Sequence, residues 1–196
     1  EVGNICKSLN IDSHQVMDVF CKDRQLNISN AYLRSGFAYG GSCLPKDLLG
    51  LVSLGEANKV TSPTLGSISN SNEQQIDLAF AKSLKFAPKN IAFLGISFKE
   101  GTDDLRFSPN LKLAQRLFSE NINIKVHDQN VFATIQDGIN DLEVRNSAGS
   151  IYSEISDNLD SVIENADLII IAAKNALYSK VLERTDIPIL DLVRID

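Results

Sequence analysis

Histidine, cysteine and clustered basic charge are scarce in this 196-residue chain, and each scarcity removes a class of function. The only histidines are His14 and His127, far apart in sequence, so a histidine-rich metal centre is excluded and no metal site is expected. The three cysteines, Cys6, Cys21 and Cys43, form an odd set with no C-x-x-C spacing. That argues against a disulfide framework or a zinc site and for a reducing, cytoplasmic compartment. Formal net charge is −6 and no dense Lys/Arg run occurs, so neither nucleic acid nor an anionic membrane surface is an expected partner. No apolar stretch approaches transmembrane length, and the first residues lack the charged-then-apolar pattern of a signal peptide. Internal repeats and low-complexity segments are absent too. With 43% hydrophobic and 22% charged residues the balance is that of an ordinary globular protein, long enough for one large or two small domains.

What is present is concentrated in Gly40-Gly41-Ser42-Cys43-Leu44-Pro45-Lys46-Asp47. The glycine pair lets a backbone pass close to a ligand with no Cβ in the way. Pro45 suits the first turn of a helix, where a missing N–H costs nothing. Cys43 is thereby expected at a helix N-terminus beside Lys46, where dipole and ammonium both favour thiolate over thiol. Asp47, four residues on, lies on the same helix face as a base or proton relay. A lone cysteine is more often a buried structural residue, but a core cysteine needs neither glycines nor a cation beside it. Cys6 and Cys21, at helical spacing among apolar neighbours, read as core, and His14 as a surface or packing residue of a helix.

The texture changes near residues 86–90. Before that point the chain reads helical. Ile5, Leu9, Val16, Val19 and Phe20 have helical spacing, with Asp12 or Ser13 as N-cap. Residues 24–43 form a long loop rich in Asn, Ser and Gly, and helices are expected over 44–57 and 63–85. From residue 90 strands (90–96, 122–127, 168–173, 188–192) alternate with helices (111–120, 158–166, 176–184), with a weakly patterned stretch over 131–155. Such alternation predicts an α/β fold: a helical domain, residues 1–86, followed by a Rossmann-like parallel α/β domain, residues 87–196.

The first turn of that α/β unit lacks the dinucleotide fingerprint G-x-G-x-x-G. It reads instead Gly95-Ile96-Ser97-Phe98-Lys99-Glu100-Gly101-Thr102-Asp103-Asp104-Leu105-Arg106, which places the cations Lys99 and Arg106 where open α/β sheets bind ligands. The alternative is a solvated loop whose cations pair with Glu100, Asp103 and Asp104. Asp128, at the end of the second predicted strand, is read as structural.

Residues 36–47 (GFAYGGSCLPKD) and 95–109 (GISFKEGTDDLRFSP) resemble, in order and spacing, the two strongest motifs of the UDP-glucose/GDP-mannose dehydrogenase family. The resemblance covers essentially the whole chain. It implies a fragment: a helical central dimerisation domain and a C-terminal nucleotide-sugar domain, without the N-terminal Rossmann domain that carries the main NAD site. The implied activity is NAD-dependent oxidation of the C6 alcohol of a nucleotide sugar to a carboxylate, through an aldehyde, a cysteine thiohemiacetal and a thioester. The second motif favours GDP-mannose over UDP-glucose or UDP-N-acetyl-mannosamine. By resemblance Cys43 is the nucleophile and Asp47 helps to activate water or relay protons. Lys99 contacts substrate, and Tyr32, Arg34, Phe37 and Gly40 belong to the loop gripping the nucleotide sugar, in part across a homodimer. Lys46 and Arg106 match positions near NAD. Ala31 stands where an aromatic residue is expected, and Phe107 where an acidic one is. A non-catalytic dimerisation and binding module differs from the enzyme by what is encoded upstream; a thiol hydrolase lacks a base, since neither histidine has a neighbouring motif.

Overall fold

The computed structural model describes residues 2–24, 36–138 and 140–195. It divides into two compact units: Glu1–Gly36 with Cys43–Asn72, and Phe37–Ser42 with Glu73–Asp196.

The first unit is helical. It contains α1 (Val2–Ser8), α2 (Ser13–Phe20), α3 (Cys43–Ala57) and the start of α4 (Pro63–Leu84). Asp12 Oδ1 accepts the His14 N–H at 2.9 Å, so the cap falls where the sequence placed it. After α3 the chain turns so tightly that a Cβ on buried Gly55 would meet the Val60 carbonyl at 3.2 Å and Ile5 Cδ1 at 3.5 Å. Ile5 and Cys6 are buried, as expected of a core pair. Cys21 is not: it is exposed, and Val19 and Phe20 before it are 68% and 62% exposed. Helical spacing defined the apolar face of α2 correctly but carries no information on what covers it. His14 is an exposed helix residue.

The second unit is a five-stranded parallel sheet of order β3-β2-β1-β4-β5. Its strands are β1 (Asn90–Leu94), β2 (Asn123–His127), β3 (Ile155–Ser156), β4 (Leu168–Ile171) and β5 (Ile189–Asp191). β1 pairs with β2 and β4 in register, Ile91 opposite both Ile124 and Leu168. Ile91, Phe93, Ile124, Val126, Leu168 and Ile170 enter one core cluster with α5 (Pro109–Ser119), while Ala92, Leu94, Ile169 and Ile171 enter another with α9 (Ala176–Leu182) and α8 (Leu159–Ile163). Strands buried on both faces read as continuous apolar runs, which is why they were visible in the sequence.

Three details depart from the expected elements. β1 stops at Leu94 because Gly95 turns the chain with φ +89°. The weakly patterned stretch holds two helices, α6 (Gln129–Asp137) and α7 (Asp141–Ala148), and a 3-10 turn over Gly149–Glu154. And the compact units divide inside α4, at Asn72/Glu73, rather than where the sequence texture changes. The later turns of α4 are held to α5: Glu73 pairs with Lys112 at 2.5 Å, Asp77 with Arg116 at 2.6 Å, and the Arg116 guanidinium lies 4.6 Å over the Phe80 ring. Ile76 and Ala79 are buried in the same core cluster.

Candidate functional site

In the second unit the chain runs outward from β1 to β2 and β3, then returns to β4 and β5 on the other side. The C-terminal ends of β1 and β4 are therefore the switch point of the sheet, where open α/β folds bind ligands. They approach so closely that a Cβ on Gly95 would collide with Ala173 Cβ. Ile96-Ser97-Phe98-Lys99 leaves from this point.

The backbone of that loop is satisfied from within. Asp128 Oδ2 accepts the N–H groups of Ile96 (3.0 Å) and Ser97 (3.2 Å), and the Asp104 carbonyl accepts that of Phe98 (3.1 Å). Ser108 Oγ donates to the Ile96 carbonyl at 2.6 Å, and Asn110 Nδ2 donates to that of Ser97 at 2.8 Å. The Lys99 carbonyl accepts from Ser97 Oγ (3.1 Å) and Thr102 Oγ1 (2.8 Å). What the loop presents is the Lys99 side chain, exposed and in no ion pair among the described residues.

Arg106 differs. Its guanidinium forks onto Asp104, Nε to Oδ1 at 2.9 Å and Nη2 to Oδ2 at 2.6 Å, and this hydrogen bond holds the Asp104 carboxyl below the usual carboxylate range. Asp103 accepts from Thr134 Oγ1 at 2.7 Å. The solvated-loop alternative thus describes Arg106 and not Lys99.

The segment Phe37–Ser42 is docked on this same loop. The Gly41 N–H donates to the Arg106 carbonyl at 3.0 Å, and Gly41, at φ +86°, lies against the Phe98 ring, whose Cε2 a Cβ would approach to 2.6 Å. A Cβ on Gly40 would collide with the Phe107 carbonyl and reach Pro109 Cδ at 2.7 Å. The close approach that the glycine pair permits in this structure is to the protein's own backbone and rings. Phe37 is half-buried and packed against the α/β core.

Cys43, Lys46 and Asp47 belong to the first unit, at the start of α3. Cys43 is the first residue of the helix, exposed and in no disulfide. Pro45 sits in the first turn, as its chemistry requires. The Lys46 ammonium lies 3.2 Å from the Asp47 carboxylate, an exposed pair worth little to stability. Tyr32 and Arg34, with Ala31, lie outside the described residues.

His127 ends β2 with no exposure, Nδ1 2.8 Å from the Tyr178 hydroxyl and Nε2 3.1 Å from the Asp157 carbonyl. Burial is the largest influence and holds its pKa below the usual 6.5, against the Asp157 carbonyl and the Asp128 and Asp157 charges. Below pH 6.5 the unfolded chain therefore binds a proton that the folded chain refuses, so this residue's contribution is present above that pH and lost as pH falls through the folded value. Urea midpoints at about pH 7.5 and 5.5 are expected to fall less for His127→Asn than for the wild-type chain; an equal fall in both would refute the assignment.

Neither the amides nor the acid that a dinucleotide needs are free in this unit. The first-turn N–H groups go to Asp128 and Asp104, and the Leu111 N–H at the start of α5 goes to Ser108 Oγ at 3.2 Å. The carboxylate at the end of β2, Asp128, is buried and also accepts the Val131 N–H at 3.2 Å as N-cap of α6. A pyrophosphate finds no cradle here, and the residues present do not fit NAD. Among the described residues no group of His, Cys, Asp and Glu is arranged to hold a metal, and no helix is long and apolar enough to cross a membrane.

Lys99 and Arg106 are evident as candidates in the sequence, whereas Ser108 and Asn110 are not. The available signal was Ser108-Pro109, an N-cap followed by proline at the first helical position.

The second unit is thus a parallel α/β unit with a lysine loop at its switch point and no dinucleotide cradle, and the helical unit contains a helix, α3, that opens on an exposed cysteine. The chain belongs to the UDP-glucose/GDP-mannose dehydrogenase family. Residues 1–74 match the model of that family's central domain and residues 92–190 that of its UDP binding domain. It is 41% identical over 178 residues to the GDP-mannose 6-dehydrogenase of Pseudomonas putida, covering 91% of this chain and 41% of that protein. With the GDP-mannose 6-dehydrogenase of Azotobacter vinelandii it shares 36% over 197 residues, 98% of this chain and 45% of that one. The crystal structure of a ternary complex of GDP-mannose dehydrogenase from Pseudomonas aeruginosa superposes with a TM-score of 0.94 at 35% identity, over 99% of this chain and 45% of that one. The chain thus spans less than half the length of these relatives.

Proposed function

We propose that this chain supplies the thiol and the nucleotide-sugar grip of an NAD-dependent nucleotide-sugar 6-dehydrogenase acting on GDP-mannose. In functional terms residues 1–86 form the helical, dimerising part with Cys43, and residues 87–196 the nucleotide-sugar domain. The observation that carries the reading is Lys99: an ammonium in no ion pair among the described residues, on a hydrogen-bonded loop at the switch point of a parallel sheet, suited to an anionic or hydroxyl-rich ligand. The names of the relatives support the substrate class.

Each residue then has a task. Cys43 Sγ bonds to C6 of a sugar aldehyde, and the former carbonyl oxygen takes a proton to give a thiohemiacetal. At the thioester stage water adds to the same carbon and the C–S bond breaks, releasing the carboxylate and returning the thiol, with Asp47 taking the proton from water. Tyr32, Arg34, Phe37 and Gly40 belong to the gripping loop. NAD, the hydride acceptor of the proposed reaction, has its main site outside this chain, and Lys46 and Arg106 keep only the cofactor-proximal roles that the resemblance gives them. A homodimer in a reducing cytoplasm completes the reading. It accords with apolar side chains left in solvent on α2 and α3, where Val19, Phe20, Leu44 and Leu49 are each more than half exposed.

Calorimetric titration of the chain with GDP-mannose tests the grip. Lys99→Ala removes a charge-assisted hydrogen bond, so affinity is expected to fall roughly ten- to a hundredfold with an unchanged melting profile; unchanged affinity would refute the role. A second substrate reading, a UDP sugar, is favoured by the description of the model matched by residues 92–190 as UDP binding. Parallel titration with UDP-glucose and UDP-N-acetyl-mannosamine decides between the two.

A further inference from the structure

We propose that Asp128, Ser108 and Asn110 are positioning residues that hold the Lys99 loop in its binding geometry without touching the ligand. The proposal rests on the reading of Lys99 as a ligand contact. A chain leaving a strand loses its ladder partners, and its buried N–H and C=O groups must be satisfied elsewhere. Here all four backbone groups of Ile96 and Ser97 are taken by three side chains. Asp128 receives both N–H groups, Ser108 donates to one carbonyl and Asn110 to the other. The three are 4%, 4% and 5% exposed, so water does not compete.

Each of them is tied a second time to a different element. Asp128 Oδ1 caps α6 through the Val131 N–H, Ser108 Oγ caps α5 through the Leu111 N–H, and Asn110 Nδ2 also donates to the Ala172 carbonyl just beyond β4 at 3.1 Å. The loop is therefore referenced to three elements at once, and the hold passes on to Lys99 through Ser97 Oγ. Asp128 stands where a dinucleotide fold keeps its ribose-binding acid. In this chain that carboxylate faces inward, spent on three N–H groups, and its task is to set the direction of the neighbouring loop.

The test uses the chain with Asp128→Asn, Asn110→Ala, Lys99→Ala and the double variant Asp128→Asn/Lys99→Ala. Two quantities are read: amide hydrogen exchange over residues 96–99, and affinity for GDP-mannose, with a thermal melt to confirm folding. Asn110→Ala leaves both helix caps in place and serves if Asp128→Asn fails to fold. The expected result is exchange accelerated about tenfold or more in each clamp variant, with affinity lowered about tenfold in the presence of Lys99 and no further in the Lys99→Ala background. Unchanged exchange in folded Asp128→Asn and Asn110→Ala overturns the proposal, as does an equal loss of affinity in both backgrounds, which marks general damage. If Lys99→Ala binds GDP-mannose as the wild-type chain does, the functional reading of Lys99 falls, and the exchange measurement, which needs no ligand, still decides whether the clamp holds the loop.

Discussion

Gly95→Ala is expected to cost the second unit about 2–5 kcal/mol, a large share of the roughly 5–15 kcal/mol that holds a domain folded. Two separate effects contribute. Gly95 has φ +89°, where a residue bearing a Cβ is strained by about 1–3 kcal/mol. Its Cβ would also collide with Ala173 Cβ and meet the Ala173 N at 3.2 Å, and overpacking of this kind costs about 1–3 kcal/mol. The neighbour, Ala173, is a short side chain fixed to the backbone just after β4, so neither partner has a flexible end to move. Gly101 separates the two effects. It too has a positive φ, +72°, but among the described residues nothing lies within 4 Å of its would-be Cβ. Gly101→Ala should therefore show the strain alone, about 1–2 kcal/mol. Urea denaturation of the two variants side by side checks this. A Gly95→Ala loss no larger than that of Gly101→Ala would mean that the ends of β1 and β4 can part without cost, and the tight switch point would be lost as an element of the site.

The central strands β1 and β4 were legible in the sequence because they are short apolar runs with both faces buried, whereas the two-residue edge strand β3, at the end of the weakly patterned stretch, was not. α7 was not legible for the opposite reason. It buries only Val144 and Ala148, leaves Leu142 73% exposed, and is held at its end by Gln115 Nε2 donating to the Ser147 and Ala148 carbonyls. That anchor lies more than thirty residues away in sequence, where no local pattern can report it. The two glycines before Cys43 were visible, but a glycine announces only that something comes close, and Phe98 and Phe107 turned out to be the neighbours. Asp128 was legible as structural because the glycine fingerprint it would serve is missing. Its partners, Ile96 and Ser97, were not, since pairing across a sheet edge is a property of the topology. The Lys99 and Arg106 loop divides the same way. Arg106 paired with the nearby acid as composition suggests, while Lys99 was kept apart by a turn whose geometry depends on side chains that follow it and on Asp128, the cap of α6 just after β2.

Cys43→Ala should abolish carboxylate formation, by on the order of 10³-fold or more, in a polypeptide that joins this chain to an upstream dinucleotide-binding domain. The 196-residue chain alone should form no NADH at all from any GDP or UDP sugar, because its sheet-edge amides are spent on Asp128 and Asp104 and leave no pyrophosphate cradle. In the joined polypeptide the thiol is needed only after an aldehyde exists. The variant should therefore still bind GDP-mannose with unaltered affinity, and an aldehyde should become trappable with hydroxylamine while carboxylate does not appear. Cys43 is exposed, so its truncation opens no core cavity, and a folding defect is not the expected cause of the loss. Cys21, exposed as well, supplies the control: Cys21→Ala should leave carboxylate formation unchanged. Carboxylate formed at the wild-type rate by Cys43→Ala would remove the thiol from the mechanism. NADH formed by the isolated chain, and abolished by Cys43→Ala so that contamination is excluded, would instead show that the cofactor binds within these residues, against the hydrogen-bond accounting at the end of β1.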